Sequence, residues 1–352
     1  MARTTIKDIA NKAGVSVTTV SMVLNGKEHR IAQETKKKII DIANELDYRP
    51  NQLAVGLITK RTNTLGLILP DISNSFFGEL AKGAEKTASE NAYNIILCNT
   101  NDTAEKDYEY LNILLDRGVD GVILVPSGRG MDETTPKVFS LLEQSQKALV
   151  LADRIKPGDR YVGVTLDQKA GGFLATDYLI QNGHKKIGCL TGPLGMLNAY
   201  LRYQGYRKAL EQAGIKYNAK LVKEGNYHIE DGVKLSKELF HQGVTAIFAS
   251  NDLMAYGVYQ SAVKQGIKVP EELSVVGFDD IFFSQFAEVP LTTIHQPAYE
   301  IGKKAVEEVM GLINGNKKKN EKFIFEPELI IRDSVKSMRV GDVEGNEKQY
   351  GS

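Results

Sequence analysis

From residue 62 to about residue 335 the chain repeats one unit: an apolar run of four to six residues, a polar turn, then a stretch with helical spacing of apolar side chains. No other feature limits the fold as strongly. Residues 65–69, 94–97, 121–125, 148–151, 186–190, 246–249 and 274–276 read as strands covered on both faces. Helices are expected over 77–92, 105–117, 136–144, 170–182, 199–213, 230–242 and 252–265. Repeated strand–helix–strand units build open parallel sheets with helices on both sides. One sheet would need too many strands, so two similar lobes are expected. Ligands in such folds sit beyond the carboxyl ends of the strands, here in the cleft between the lobes.

Polar side chains gather at those strand ends. Asp71 to Phe77 (DISNSFF) follow the first strand, and Asp153-Arg154 follow the fourth. Gly192-Pro193 lead towards Arg202, Asn251-Asp252 follow 246–249, and Asp279-Asp280 follow 274–276. At any one position a helix cap or turn competes as the explanation, and Phe76 and Phe77 alone would read as core. Five strand ends of this kind together indicate a polar small-molecule cleft. Carboxylates, guanidiniums and amides suit vicinal hydroxyls, and aromatic faces suit the C–H side of a sugar ring.

Motifs of catalysis are missing. No G-x-G-x-x-G follows a strand, and neither a phosphate loop nor G-x-S-x-G occurs. The five histidines have no metal spacing. Cys98 and Cys189 sit in apolar strands and read as inert core residues. The expectation is a non-enzyme without cofactor or metal.

Residues 1–61 are different. They carry eleven Lys or Arg against six Asp or Glu, while the remainder carries 33 against 38. A basic head on an acidic body points to a polyanion as the partner of the head. Ile6, Ile9, Ala10 and Ala13 form a helical stripe, with Thr5 as cap, Asp8 as its acidic partner and Gly14 as stop. Ser16 caps a second helix with the stripe Val17, Val20, Val23 and Leu24, ended by Asn25-Gly26. A third runs from about 33 to 47 with Ile39, Ile40, Ile42, Ala43 and Leu46 inward, closed by Pro50. Two short helices joined at a glycine, plus a third, make a helix-turn-helix unit. Val17, Thr18 and Met22 are the exposed early positions of its second helix. Thr18 can hydrogen-bond a base edge, while Val17 and Met22 can pack on a thymine methyl.

TIKDIANKAGVSVTTVSMVLNG followed by LDYRPNQLAVGL resembles, without gaps, the head of the LacI/GalR family of bacterial transcription regulators, and the likeness continues along almost the whole chain. It implies an all-α helix-turn-helix head on a two-lobed α/β body like that of periplasmic binding proteins, built on two doubly wound parallel sheets. It implies DNA contacts from Thr5, Ser16, Val17, Thr18, Thr19, Ser21, Met22, Asn25, His29 and Tyr48. A hinge helix would follow, contributing Asn51, Ala54 and Leu57, with Leu57 as a minor-groove wedge. Gly56 makes that helix marginal alone. Position 22 is often arginine or histidine in the family, so Met22 leaves the operator sequence open. The body resembles the ribose-binding type most. Carrying that pocket over gives Asn74, Phe76, Phe77, Asp153, Arg154, Arg202, Asn251, Asp279 and Gln296. Tyr227 stands where the binding protein has phenylalanine.

The resulting organisation is a helix-turn-helix domain over 1–50, a hinge over 51–61, and an effector and dimerisation body over 62–335. The N-lobe is expected over about 62–160 and 294–325, the C-lobe over about 161–292 and 326–335. Residues 336–352 contain no leucine and read as a disordered tail, so a homodimer is expected on a pseudo-palindromic operator in double-stranded DNA. The effector would be a sugar, ribose first. Two rivals are a catabolite-type regulator with a phosphoprotein corepressor on helix 300–312, where Lys303-Lys304 precede Glu307-Glu308, and a stand-alone sugar-binding protein. Two cysteines, no signal-peptide core and no apolar run of membrane length point to the cytoplasm and to no membrane partner.

Overall fold

The structure is a computed structural model. It describes residues 4–24, 31–48, 61–128, 135–156, 158–316 and 320–338. The contacts divide into two units, residues 1–62 and 63–352.

The first unit holds α1 (Ile6–Ala13), α2 (Val17–Leu24) and α3 (Gln33–Glu45). The Asp8 carboxylate accepts from the Thr5 N–H at 2.8 Å and from its hydroxyl at 2.7 Å. Gly14 ends α1 at φ +70°, a conformation glycine adopts without a Cβ penalty. Ile9, Ala10, Ala13, Val20, Val23, Ile39, Ile42 and Ala43 form its core. One inward expectation fails, and Val17, read both as part of the stripe and as an exposed early position, takes the exposed place. Val17 is 40% exposed at the first position of α2, and Ile40 is 46% exposed because it follows buried Ile39 by one residue, about 100° round the helix.

The second unit carries two sheets. The N-lobe sheet uses β1 (Thr64–Leu69), β2 (Asn94–Asn99), β3 (Gly121–Leu124), β4 (Ala148–Ala152), β5 (Val162–Leu166) and β11 (Lys322–Phe325), in the order β11-β5-β4-β3-β1-β2 and all parallel. Its helices are α4 (Ser75–Glu90), α5 (Ala104–Asp116), α6 (Thr135–Ser145) and α11 (Ala298–Ile313). The C-lobe sheet uses β6 (Ile187–Thr191), β7 (Val222–Glu224), β8 (Ala246–Ala249), β9 (Ser274–Asp279), β10 (Thr292–His295) and β12 (Glu328–Ile330), in the order β12-β10-β9-β8-β6-β7. Only the edge pair β10–β12 is antiparallel among its described pairings. Its helices are α7 (Gln168–Gln181), α8 (Leu197–Gln212), α9 (Ile229–His241) and α10 (Asp252–Lys264).

Each sheet is coated on both faces. In the N-lobe, Leu65, Leu67 and Leu69 meet α4 and α11, while Ile68 meets Leu111 and Leu114 of α5. In the C-lobe, α7 and α8 cover one face and α9 and α10 the other. Paired glycines bring helix backbones together. A Cβ on Gly205 of α8 would lie 2.3 Å from the Lys169 carbonyl of α7, and one on Gly302 of α11 would lie 2.0 Å from the Leu80 carbonyl of α4.

The chain passes between the lobes three times: after β5, after β10, and between β11 and β12. The Asp167 N–H donates to the Phe325 carbonyl at 2.9 Å, tying the first crossing to the third. The expected lobe boundaries therefore shift. β5 belongs to the N-lobe rather than the C-lobe, and His295 belongs to the C-lobe rather than the N-lobe. The expected tail also begins later. The Lys336 N–H donates to Ser274 Oγ at 3.0 Å and the Met338 N–H to the Asn182 carbonyl at 2.7 Å, which fastens 336–338 to the C-lobe. Residues 339–352 lie outside the described residues.

Candidate functional site

In the head, Ser16 Oγ accepts the Thr19 N–H at 3.1 Å and lies 2.8 Å from Thr19 Oγ1, which starts α2. The start of that helix then presents Val17 and Thr18 to solvent, and Met22 one turn on is 46% exposed. Thr5 is exposed at the start of α1, Ser21 is half-buried, and Tyr48 packs half-buried against the helical core. Lys12 and Glu45 pair at 2.6 Å and clamp α1 to α3. Asn25, His29, Asn51, Ala54 and Leu57, and the hinge but for Arg61, lie outside the described residues.

In the body, both sheets place their first and third strands side by side with connections leaving in opposite directions, which opens a crevice at the carboxyl ends. The two crevices supply one cleft. From the N-lobe come Asp153 and Arg154, just past β4. From the C-lobe come Arg202 on α8, Tyr227 past β7, and Asp279 ending β9. Asp153, Arg154, Arg202 and Asp279 are 2–7% exposed. Each interacts electrostatically with members of the opposite lobe.

Burial pushes the Asp279 carboxyl well above the carboxylate range, with the Arg202 guanidinium at 3.6 Å opposing it. Burial also raises Asp153, against the pull of Arg154 and Arg202. Burial works against the charge of Arg154, yet Asp102 and Asp153 outweigh it and hold the pKa above the ordinary value. The Tyr227 hydroxyl is pushed up to about 12, mainly by burial.

The side chains are locked from behind. Arg154 Nη1 donates to Asp102 at 2.6 Å and to the Pro126 carbonyl at 3.1 Å, and the guanidinium lies 5.8 Å from the Phe77 ring centre. Arg202 Nη1 donates to the Ser250 carbonyl at 2.5 Å, and the guanidinium stacks on Phe278 at 3.7 Å. The Tyr227 ring lies where a Cβ on Gly192 would sit, 2.1 Å from its Cζ. Asp153, Tyr227 and Asp279 all have positive φ, at +59°, +68° and +111°. Non-glycine residues hold such conformations at a cost that surrounding structure must offset, which is common at ligand sites.

Other expected members take supporting places. Asn74 Oδ1 caps α4 by accepting the Phe76 N–H at 3.0 Å. Phe76 and Phe77 are 4% and 5% exposed, pack edge to face at 5.1 Å, and join the N-lobe core. Asn251 caps α10 through the Met254 N–H at 2.9 Å and donates to the Tyr227 carbonyl at 3.0 Å, holding the tyrosine loop. Asp252 and Asp280 turn into the C-lobe. Asp252 accepts from Ile281 N–H, Ser284 Oγ and Thr293 Oγ1, while Asp280 binds His295 and Arg332. Gln296 is 2% exposed at the second crossing.

Sequence reasoning missed two residues of this network. Asp102 follows β2 and joins Arg154 to the Gly128 N–H at 2.9 Å. Gln168 follows β5 and touches Asp153, Arg202 and Gln296. The strand-end rule reaches Asp102, and it reaches Gln168 only once β5 is recognised as a strand.

Three buried polar atoms of this region have no hydrogen-bond partner: Arg154 Nε, Tyr227 OH and Ser250 Oγ. Buried polar atoms are normally satisfied, so unpaired ones around a polar cleft fit a ligand with hydroxyl groups. Among the described residues no His, Cys, Asp or Glu cluster suits a metal ion.

A helical DNA-reading head and a two-lobed binding body define a ligand-responsive DNA-binding regulator. Residues 5–51 match the model of bacterial regulatory proteins of the lacI family, and residues 62–332 match that of periplasmic binding proteins and the sugar-binding domain of the LacI family. The chain belongs to the LacI family. It is 36% identical to the HTH-type transcriptional regulator DegA of Bacillus subtilis, over 95% of this chain and 98% of that protein. Its fold matches the Lac repressor dimer bound to operator and the anti-inducer ONPF with a TM-score of 0.84 and 25% identity, covering 95% of this chain and all of the other. It also matches a LacI family regulator from Enterococcus faecium with bound ribose, at a TM-score of 0.72 and 28% identity, covering 78% of this chain and all of the other. No described helix is long and apolar enough to cross a membrane.

Proposed function

We propose that this LacI-family transcriptional repressor changes its operator affinity when a small sugar, ribose first, binds between the lobes of its body. The observation that carries this is the convergence of Asp153 and Arg154 from one lobe with Arg202, Tyr227 and Asp279 from the other, next to three buried polar atoms that make no hydrogen bond. Paired carboxylates and guanidiniums grip vicinal diols from opposite sides, so a bound sugar bridges the lobes and favours one arrangement. The likeness to the ribose-bound regulator supports the same ligand. The protein acts as a cytoplasmic homodimer on a pseudo-palindrome and has no catalytic role. Val17, Thr18 and Met22 read bases, Thr5, Ser16, Thr19, Ser21, Asn25, His29 and Tyr48 support the contact, and Asn51, Ala54 and Leu57 form the minor-groove hinge.

The phosphoprotein reading is weaker. Lys303 pairs with Glu300 at 3.6 Å, and Lys304 pairs with Glu308 at 2.9 Å while covering the Phe323 ring. Both cations are offset within their own helix, so the patch offers little free positive charge.

A thermal-shift panel of pentoses, hexoses and nucleobases tests the ligand. A ligand at 100 times its Kd stabilises by about 2.7 kcal/mol. Ribose is expected to raise the melting temperature and to change binding to an operator obtained by in vitro selection with the full chain. A response to a nucleobase and to no sugar overturns the sugar reading.

A further inference from the structure

Four polar side chains meet where the chain passes between the lobes. Gln168 opens α7 at the first crossing, and Gln296 follows β10 at the second. Gln168 Oε1 accepts from Arg202 Nε at 2.7 Å, and Gln168 Nε2 donates to Gln296 Oε1 at 2.9 Å. Arg202 Nη2 donates to the same Gln296 oxygen at 3.2 Å, which closes a ring of three side chains, each 2% exposed. Gln168 Nε2 also reaches Asp153 Oδ1 at 3.4 Å. One amide thus touches a charged residue of each lobe and the second crossing at once.

Its orientation is fixed by chemistry. Arginine has donors only, so the Gln168 oxygen must face Arg202 and its NH2 must face Gln296 and Asp153. Turning the amide over would set donor against donor at Arg202. Because Gln296 Oε1 takes donors from both Gln168 and Arg202, its orientation follows from the same arginine.

We infer that Gln168 is a positioning residue of the effector switch, holding Arg202 and Asp153 in a set relation to the crossings so that a ligand drawing on either charge is felt where the lobes join. This rests on the reading of the cleft as the effector site. Side-chain hydrogen bonds tie the two lobes together at this point, and a ligand that competes for Arg202 or Asp153 alters those bonds directly. A coupling of this kind needs an element that both sites bias, and the crossings join the cleft side chains to both lobes.

The test uses the full chain with Gln168→Met and Gln168→Glu. Methionine keeps the length and volume but makes none of the three hydrogen bonds. In ligand-free protein, amide hydrogen exchange should rise about tenfold over 166–169 and 295–298, the size of one or two lost hydrogen bonds. β1 and β8 should be unchanged. Glutamate keeps the acceptor for Arg202 but turns an oxygen toward Gln296 and Asp153. It should loosen 295–298 when ionised and recover on acidification, when its O–H can donate again. Operator affinity without sugar should fall severalfold in Gln168→Met. With ribose present, the ratio between operator affinities with and without sugar should move towards one. Unchanged exchange at the crossings, a uniform rise through the C-lobe, or unchanged operator affinity despite loosened crossings each overturns the role. If wild type ignores ribose, the ligand assignment fails, while the exchange and sugar-free operator measurements still decide the role of Gln168.

Discussion

Arg202 makes the sharpest energetic prediction. Its guanidinium is 2% exposed, donates to Gln168, the Ser250 carbonyl and Gln296, stacks on Phe278, and stands 3.6 Å from Asp279. Arg202→Met keeps an apolar stem but leaves the Asp279 carboxylate buried without its cation. Removing one partner of a buried pair costs about 3–5 kcal/mol, whereas replacing both by neutral groups is often nearly neutral. The single variant should therefore melt about 10 °C below wild type, and Arg202→Met/Asp279→Asn should regain most of that loss. The sign with pH follows. Asp279 has a raised pKa in the folded state and loses its opposing cation in the variant. A raised carboxyl contributes stability that is present at low pH and lost as pH rises through its folded pKa. The deficit of Arg202→Met should thus be small at pH 5 and large at pH 8. Thermal and urea unfolding of wild type, both singles and the double at the two pH values measure it. A double variant no more stable than Arg202→Met, or a deficit that ignores pH, refutes the argument from an orphaned carboxylate. Asp279→Asn alone should remain folded, because Arg202 keeps its hydrogen bonds to Gln168, the Ser250 carbonyl and Gln296, and should weaken effector binding about ten- to a hundredfold, since one charged hydrogen bond is worth about 1.5–3 kcal/mol.

Gly205→Ala should force α7 and α8 apart, because its Cβ would lie 2.3 Å from the Lys169 carbonyl and 2.4 Å from the Phe173 nitrogen. A loss of about 1–3 kcal/mol is expected by urea unfolding, with a weakened sugar response because Arg202 rides on α8, and an undisturbed melting curve would contradict the packing. Asp252 is raised from 3.8 to about 6, chiefly by burial. Its stabilising contribution is full below about pH 4 and is lost by about pH 6–7, a swing of about 3 kcal/mol. Asp252→Asn should flatten the wild-type stability profile between pH 4.5 and 7.5, and a profile of unchanged slope would count against it.

The legible strands were those whose apolar character is unbroken. LGLIL, AIFA and the run at β4 announce themselves because both faces are covered by helices. β5 (VGVTL) and β10 (TTIH) are just as buried but contain threonines whose partners are distant in sequence. Thr165 donates to the Asp153 carbonyl at 2.5 Å and Thr293 to Asp252 at 2.6 Å. A polar residue satisfied by a remote partner looks like a break in a strand until the partner is located. The edge strands β7, β11 and β12 are only partly covered and carry no clear pattern. Missing β5 hid the strand end that holds Gln168. The cleft charges themselves were visible because aspartate-arginine and aspartate pairs stood directly after recognisable strands. The turning of Asp252 and Asp280 into the C-lobe depends on Ser284, Thr293 and Arg332, which adjacency could not supply.

The three crossings between the lobes also limit what kind of mechanical device the body can be. Two rigid bodies joined by one flexible strap retain rotation about three axes. Straps fastened to one another, as Asp167 is to the Phe325 carbonyl, restrain twisting and sliding and favour bending across the crossings. A ligand then acts on fewer soft directions, and less of its binding energy is dispersed. Side chains at the strand ends can be exchanged to suit a new effector while the crossings stay where they are, so ligand choice and the direction of the output movement can evolve independently.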